Sequence, residues 1–297
     1  MLQNIPLYDI CSLSDINQDD ILISRFAPYL DTHKNLFATH RHTFYHLVLF
    51  TAGAGTHTID FESFVVKPGQ IYFMIPGQVH SWGFEGVTDG YIINFSTSFI
   101  QSFLLQHGYL DNFSFFSGNL TDAVINLPAE TYAAIKPLFE NILTEVTNPG
   151  TSAADMIRLL MLQIFIRVNR VTAISAVNNN SSYNQTLLKN FKNLIEHHYT
   201  DIRLPKDYAA MLYITPNHLN AVCKDMMGIP AGEMIRNRVM LEAKRMLTNP
   251  QLSISEISLK LNFSDNSYFT KFFKKLEDTT PEEFRKKLLY DHGKQQL

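Results

Sequence analysis

Two cysteines in 297 residues, Cys11 and Cys223, are too few and too far apart for a disulfide framework or a thiolate metal site. That shortage fits a reducing compartment, and the cytoplasm is the expected location. The opening MLQNIPLYDI has neither a basic stretch nor an apolar core, so no secretory signal is expected. Long apolar runs are missing too. The most apolar helical stretch, Ile157 to Val168, is broken by Arg158, Gln163 and Arg167, which argues against a membrane partner. There is no low-complexity tract, which sets aside fibrous and disordered classes.

What the chain does contain is ordinary globular material. It is 45% hydrophobic and 18% charged, with 22 Phe and 13 Tyr to fill a core. Its length exceeds what one core usually supports and predicts two domains. The net charge of −3 hides an asymmetry: residues 1–182 carry −7 and residues 183–297 carry +4. A basic tail on an acidic body suits a polyanion-binding module joined to a ligand-binding one.

Residues 20–100 read as short strands: Thr43–Thr51, Gly55–Ile59, Phe64–Val66, Gln70–Ile75 and Gly90–Phe95. Turn signals at Ala52-Gly53-Ala54-Gly55, Pro68-Gly69 and Pro76-Gly77 separate them and predict an antiparallel sandwich or barrel. Two amphipathic helices follow, Ala129–Val146 and Ser152–Val171, split by Asn148-Pro149-Gly150. Met156, Leu159, Leu160, Ile164 and Val168 form an apolar stripe on the second, which either docks a second copy or packs on the barrel.

The rest is helical. Leu204–Leu212 and Pro216–Met227 flank a short turn, and Ser255–Leu261 and Asn266–Leu276 flank another; Gly232–Leu247 joins the pairs. Such pairs have helix-turn-helix geometry. In the second, Ile257, Leu261, Phe263, Phe269 and Phe273 supply an apolar back. Asn266, Ser267, Thr270, Lys271 and Lys274 are left on a polar front suited to the major groove. Ser264 and Ser255 are placed where helix N-termini meet phosphate.

Leu261-Asn-Phe-Ser-Asp-Asn-Ser-Tyr-Phe-Thr-Lys-Phe-Phe-Lys-Lys275, with Thr280-Pro281-Glu-Glu-Phe-Arg285, resembles the signature of AraC/XylS-type regulators. Ile214-Thr215-Pro216-Asn217-His218-Leu219-Asn220, then Lys224 and Gly228, is similar to the family's first unit, and Arg238, Ala243 and Leu247 match its connecting helix. The resemblance implies DNA contacts from Thr215, Asn217, His218, Asn220, Lys224, Arg238, Ser264, Asn266, Ser267, Thr270, Lys271 and Lys274. Three positions depart from the pattern. Asp278 stands where a glycine is usual, Ala221 where arginine is frequent, and Cys223 where an aromatic is frequent.

In the N-terminal half, His40, His42, Phe44 and His46 share one strand face, and His80 follows Pro76-Gly77. This spacing resembles the two motifs of the cupin barrel, with His46 where those proteins carry glutamate. AraC-type sensory domains are cupin-like as well. Three readings stay open: pocket-wall or core histidines, a metal-dependent sensor, and a cupin enzyme. The first is preferred, with no metal and no cofactor. His40, His42, His46, Tyr72, His80 and Trp82 are assigned to an effector site, and Tyr45, Met74 and Asn94 are further wall candidates.

The expected fold is thus α+β multidomain: an N-terminal cupin-like β-barrel with dimerisation helices, and an all-α double helix-turn-helix domain. The expected boundaries are 1–128 for the sensor barrel, 129–177 for the helical segment, 178–183 for a linker and 184–297 for the DNA-binding domain. The expected function is effector-responsive, non-enzymatic transcription regulation, with duplex DNA, a small-molecule effector and a second copy as partners; the resemblance implies activation through contact with RNA polymerase. The rivals are a metal-dependent cupin enzyme fused to a DNA-binding module, and a nucleoid-type binder with an inert N-terminal domain.

Overall fold

The computed structural model describes residues 5–13, 20–101, 104, 109–118, 120–176 and 182–295. The chain divides into two compact units, one of Pro6–Asn178 and one of Asn179–Leu297 together with Met1–Ile5, each described by itself. Of the linker expected at 178–183, residues 178–181 lie outside the described ones; Ser182 and Tyr183 already belong to a helix.

The first unit is built on eight strands: β1 (Leu7–Tyr8), β2 (Ile21–Arg25), β3 (His40–His42), β4 (Tyr45–Ile59), β5 (Glu62–Val65), β6 (Gln70–Met74), β7 (Val79–Phe95) and β8 (Val124–Asn126). They form one sheet in the order β1-β3-β7-β4-β6-β8, with β2 also on β7 and β5 also on β4. Among the described residues the two ends do not pair, so the sheet folds over itself without closing into the expected barrel.

The fold-over comes from β4 and β7. Their ladder runs from Tyr45↔Phe95 to Phe50↔Gly90, shifts register, and resumes from Ala54↔Glu85 to Ile59↔His80. The turn expected at Ala52–Gly55 is instead this bulged bend inside one strand. Gly55 has φ +107, and a Cβ there would meet the Gly83 carbonyl oxygen at 2.2 Å, so only glycine lets the two backbones approach.

Alternation along the central strands sorts their side chains. Leu47, Leu49, Ile71, Phe73, Tyr91, Ile93 and Phe95 face one core. Val48, Phe50, Tyr72, Met74 and Ile92 face the other. The short helices α1 (Phe26–Thr32) and α3 (Leu120–Ala123) add side chains to the second core and α2 (Thr97–Gln101) to the first, where α4 (Ala129–Thr147) and α5 (Ala153–Ala176) also pack. Helix α5 buries Ile157, Met161, Ile164, Phe165 and Val168 there. The stripe offered as an interface therefore splits. Ile164 and Val168 belong to this unit's own core, Leu160 is partly buried against it, and Met156 and Leu159 stay exposed.

The second unit holds α6 (Ser182–His198), α7 (Pro205–Met211), α8 (Pro216–Met227), α9 (Ala231–Leu247), α10 (Ile254–Lys260), α11 (Asn266–Glu277) and α12 (Pro281–Gln295). It has two small cores sharing one wall, α9. Ala231 and Ile235 close the first, with Leu219, Val222 and Cys223; Val239, Met240, Ala243 and Leu247 close the second, with Ile257, Leu261, Phe269 and Phe273. Full burial of each large apolar side chain contributes about 1.5–3 kcal/mol.

Backbone devices repeat between the halves. Tyr213 (φ 56) and Asn262 (φ 55) make the two left-handed turns, and Gly228 (φ 73) and Asp278 (φ 59) end the two second helices. Asp278 therefore performs the glycine-like stop; Asp tolerates this conformation better than most side chains. No helix of the described residues is long and apolar enough to cross a membrane.

Candidate functional site

Strand register assembles a histidine cluster. His40 lies opposite His80 across β3 and β7, His46 opposite Asn94, and His57 opposite Trp82. Ring centroids are 4.1 Å apart for His40–His80, 4.5 Å for His42–His80, 5.0 Å for His42–His46 and 5.2 Å for His57–His80. All five rings are at most 1% exposed. Trp82 lies 4.9 Å from His80, and Tyr72 lies 4.8 Å from His57. The six predicted effector residues thus come together around a fifth histidine, His57, that sequence reasoning missed. Its only signal was its place in the strand Gly55–Ile59; the face it occupies follows from pairing with β7.

Hydrogen bonds fix several rings. His40 Nδ1 donates to the Ala38 carbonyl at 2.8 Å, which leaves the lone pair on Nε2. His46 Nδ1 donates to Asn94 Oδ1 at 2.8 Å. His57 Nε2 meets His80 Nδ1 at 3.0 Å, and His80 Nε2 meets His42 Nε2 at 2.7 Å. Burial, reinforced by the neighbouring histidines, holds His42, His57 and His80 well below the ordinary imidazole range. Burial likewise lowers His46 to about 3. These four imidazoles are neutral at physiological pH. Among the described residues His42 Nδ1, His46 Nε2, His57 Nδ1 and Trp82 Nε1 are buried without a hydrogen-bond partner. Such groups cost about 1–3 kcal/mol each. Tyr72 is satisfied internally, its hydroxyl donating to Gln70 Oε1 at 2.7 Å.

The second unit offers two exposed polar helix faces. On α8, Asn217, His218 and Lys224 are exposed, and the Thr215 hydroxyl caps the helix by accepting from His218 N at 3.2 Å. On α11, Asn266, Ser267, Lys271 and Lys274 are exposed and Thr270 is half-buried. Two predicted DNA contacts turn inward instead. Asn220 Oδ1 accepts the Ala231 backbone N–H at 3.0 Å, tying α8 to α9. Arg238 bridges Glu196 (2.7 Å) and Glu242 (3.0 Å) and lies 4.0 Å over the Tyr199 ring. Burial would lower its pKa, but the two carboxylates outweigh this and hold it charged.

The serines expected at helix starts are displaced by one or two residues. Ser253, not Ser255, caps α10, in a capping box with Glu256. Asp265, not Ser264, caps α11, taking the Tyr268 N–H at 2.7 Å; exposed Ser264 bonds Asp265 Oδ2 at 3.4 Å. The protein's own acids thus satisfy an N–H at each of these helix starts, leaving less for a phosphate.

Each unit has relatives among known proteins. Residues 23–163 match the family described as AraC-like ligand binding domain, and residues 208–287 match the helix-turn-helix domain family. The transcriptional activator RhaR of Mannheimia succiniciproducens is 19% identical over 254 residues, 85% of this chain and 88% of that protein. The Msm operon regulatory protein of Streptococcus mutans is 23% identical over 281 residues, 92% and 95% of the two. The arabinose operon regulatory protein of Escherichia coli is 22% identical over 244 residues, 81% and 80% of the two. With an AraC-like ligand-binding domain followed by a double helix-turn-helix, the chain belongs to the AraC family of DNA-binding transcription regulators and not to an enzyme family.

Proposed function

We propose that the chain is a cytoplasmic transcriptional activator whose N-terminal domain senses a small ligand at the histidine cluster. Its double helix-turn-helix reads duplex DNA. The observation that carries this reading is the pairing of two exposed polar helix faces, α8 and α11, with a sealed histidine cluster in the other unit. On α8, Asn217, His218 and Lys224 face DNA; on α11, Asn266, Ser267, Thr270 and Lys271 reach base edges while Lys274 holds phosphate. Thr215 and Ser264 flank the two faces. Asn220 and Arg238 position the helices from behind.

Sensing requires that the ligand bind two states of the protein with different affinity; tight binding alone shifts nothing. Activation goes through contact with RNA polymerase, and the chain works as a dimer through the exposed face of α5. The functional division is a sensor at 1–128, a helical segment at 129–177 and a reader that starts with α6 at Ser182.

The test is DNA binding by the full chain, with duplexes selected from a random pool. Binding is expected to be specific and to weaken as salt rises, because phosphate contacts release counterions. A chain that enriches no sequence, or binds without salt dependence, removes the reading.

A further inference from the structure

We propose that the N-terminal domain binds one divalent transition-metal ion of the zinc class, ligated by His40, His42 and His80 and steadied by His57. The proposal rests on the reading of the histidine cluster as the sensor site and names the chemistry of its ligand.

Four observations carry it. Convergence is the first: one ring nitrogen from each of His40, His42 and His80 lies within 4.8 Å of the other two, and all three residues are buried. Zinc–imidazole bonds are about 2.0–2.1 Å, so the 2.7 Å between His42 Nε2 and His80 Nε2 widens by roughly half an ångström to straddle an ion. The second is orientation. His40 gives its Nδ1–H to Ala38 O, and His80 turns Nδ1 to His57 Nε2, so both aim Nε2 at the site. Metal-bound histidines are characteristically held this way through the nitrogen that does not ligate. His57 lies outside the paired cupin-like motifs, so its contact with His80 is a finding of the fold.

Space is the third. Rings at centroid separations of 4.1–5.4 Å, closed to solvent, are packed too closely to admit an organic molecule between them. Donor chemistry is the fourth. An all-imidazole set suits zinc, nickel or copper and is poor for magnesium or calcium, which demand oxygen. His46 is outside the converging set, its Nδ1 held by Asn94. Three protein ligands leave a fourth position open, as in sites that exchange a small donor.

The experiment uses the full chain stripped with a chelator, then given zinc, cobalt(II) or magnesium. The expected result is one zinc per chain after dialysis, a rise in melting temperature with zinc and none with magnesium. Cobalt should develop the visible absorption of a nitrogen-ligated, four-coordinate ion. His40→Gln and His80→Gln are expected to lose stoichiometric zinc. His57→Phe should keep the stoichiometry with affinity lowered about 10–100-fold. As a control outside the site, exposed His197 and half-buried His198 of α6, replaced by Ala together, should leave binding unchanged.

A stripped wild-type chain that takes up no zinc, or cobalt that keeps its aqueous spectrum, overturns the site without relying on any variant's folding. Zinc binding that survives both His40→Gln and His80→Gln overturns it as well. DNA binding by the same samples separates the two levels. Stoichiometric zinc with DNA occupancy indifferent to it refutes the sensor reading and leaves the metal site standing.

Discussion

The guanidinium of Arg203 lies 4.5 Å over the Phe263 ring and donates to the Leu261 carbonyl. Arg203 leads into the first helix pair, whereas Leu261 and Phe263 form the turn of the second, so one side chain ties the two readers together. A cation over a ring contributes about 0.5–2 kcal/mol, and a hydrogen bond from a charged donor about 1.5–3. Arg203→Ala is expected to lower the affinity of the full chain for its selected duplex about 5–30-fold while leaving the slope of affinity against salt unchanged. A slope reduced by about one would instead make Arg203 a phosphate contact.

Within α11 the exposed lysines should divide their labour. Lys271→Ala is expected to change base preference at one position by about 1–3 kcal/mol. Lys274→Ala should weaken all sequences alike. Asn220→Ala, by contrast, removes the acceptor for the Ala231 N–H and should cost stability, about 1 kcal/mol, with the selected sequence unaltered. Repeating the duplex selection with each variant checks all three. An unchanged motif for Lys271→Ala, or a changed one for Asn220→Ala, contradicts the assignment.

The helical reader was legible in the sequence because its signals are local. A period of 3.6, Thr215 as cap, proline at the first helical position and Gly228 as stop fix Pro216–Met227 to the residue. The strand half was less legible. Ala52-Gly53-Ala54-Gly55 carries the composition of a turn, and only the partner strand decides that the chain bends without reversing. The same dependence hid His57, and it placed Ile164 and Val168 in the core. That Arg238 and Asn220 face inward was hidden for a related reason. A polar side chain on a helix looks alike in sequence whether it meets DNA or a neighbouring helix. Here Glu196, Glu242 and the Ala231 N–H capture them, and two of these come from other helices.

The split stripe on α5 sharpens the dimer test. Met156, Leu159 and Ile166 lie on one exposed face, with Leu159 52% exposed. Leu160 touches the domain's own core, so a charge there disturbs folding as well as association. Leu159→Asp is the cleaner probe and is expected to give folded monomers in sedimentation. A folded Leu159→Asp chain that remains dimeric places the interface elsewhere.

Arg25 pairs with Asp89 across β2 and β7, lies 4.6 Å over the Tyr91 ring and reaches Glu140 of α4 at 3.4 Å. Burial alone would raise the Asp89 pKa, but hydrogen bonds from Arg25 and from the Gly90 and Ala27 N–H groups outweigh it, so the carboxyl lies below its ordinary range. A carboxylate depressed on folding adds stability above its unfolded pKa, about 3.9, and loses it as pH falls through the folded value. Asp89→Asn should therefore destabilise the chain at pH 7 by about 1–2 kcal/mol, the low end for such bonds because Arg25 is one-third exposed and water screens it. The gap to wild type should stay constant from pH 7 to 5 and narrow below about pH 4, as the wild-type carboxylate protonates. Thermal melts across that range check it. A gap that persists undiminished to pH 3 means that the Asp89 charge contributes nothing to the fold.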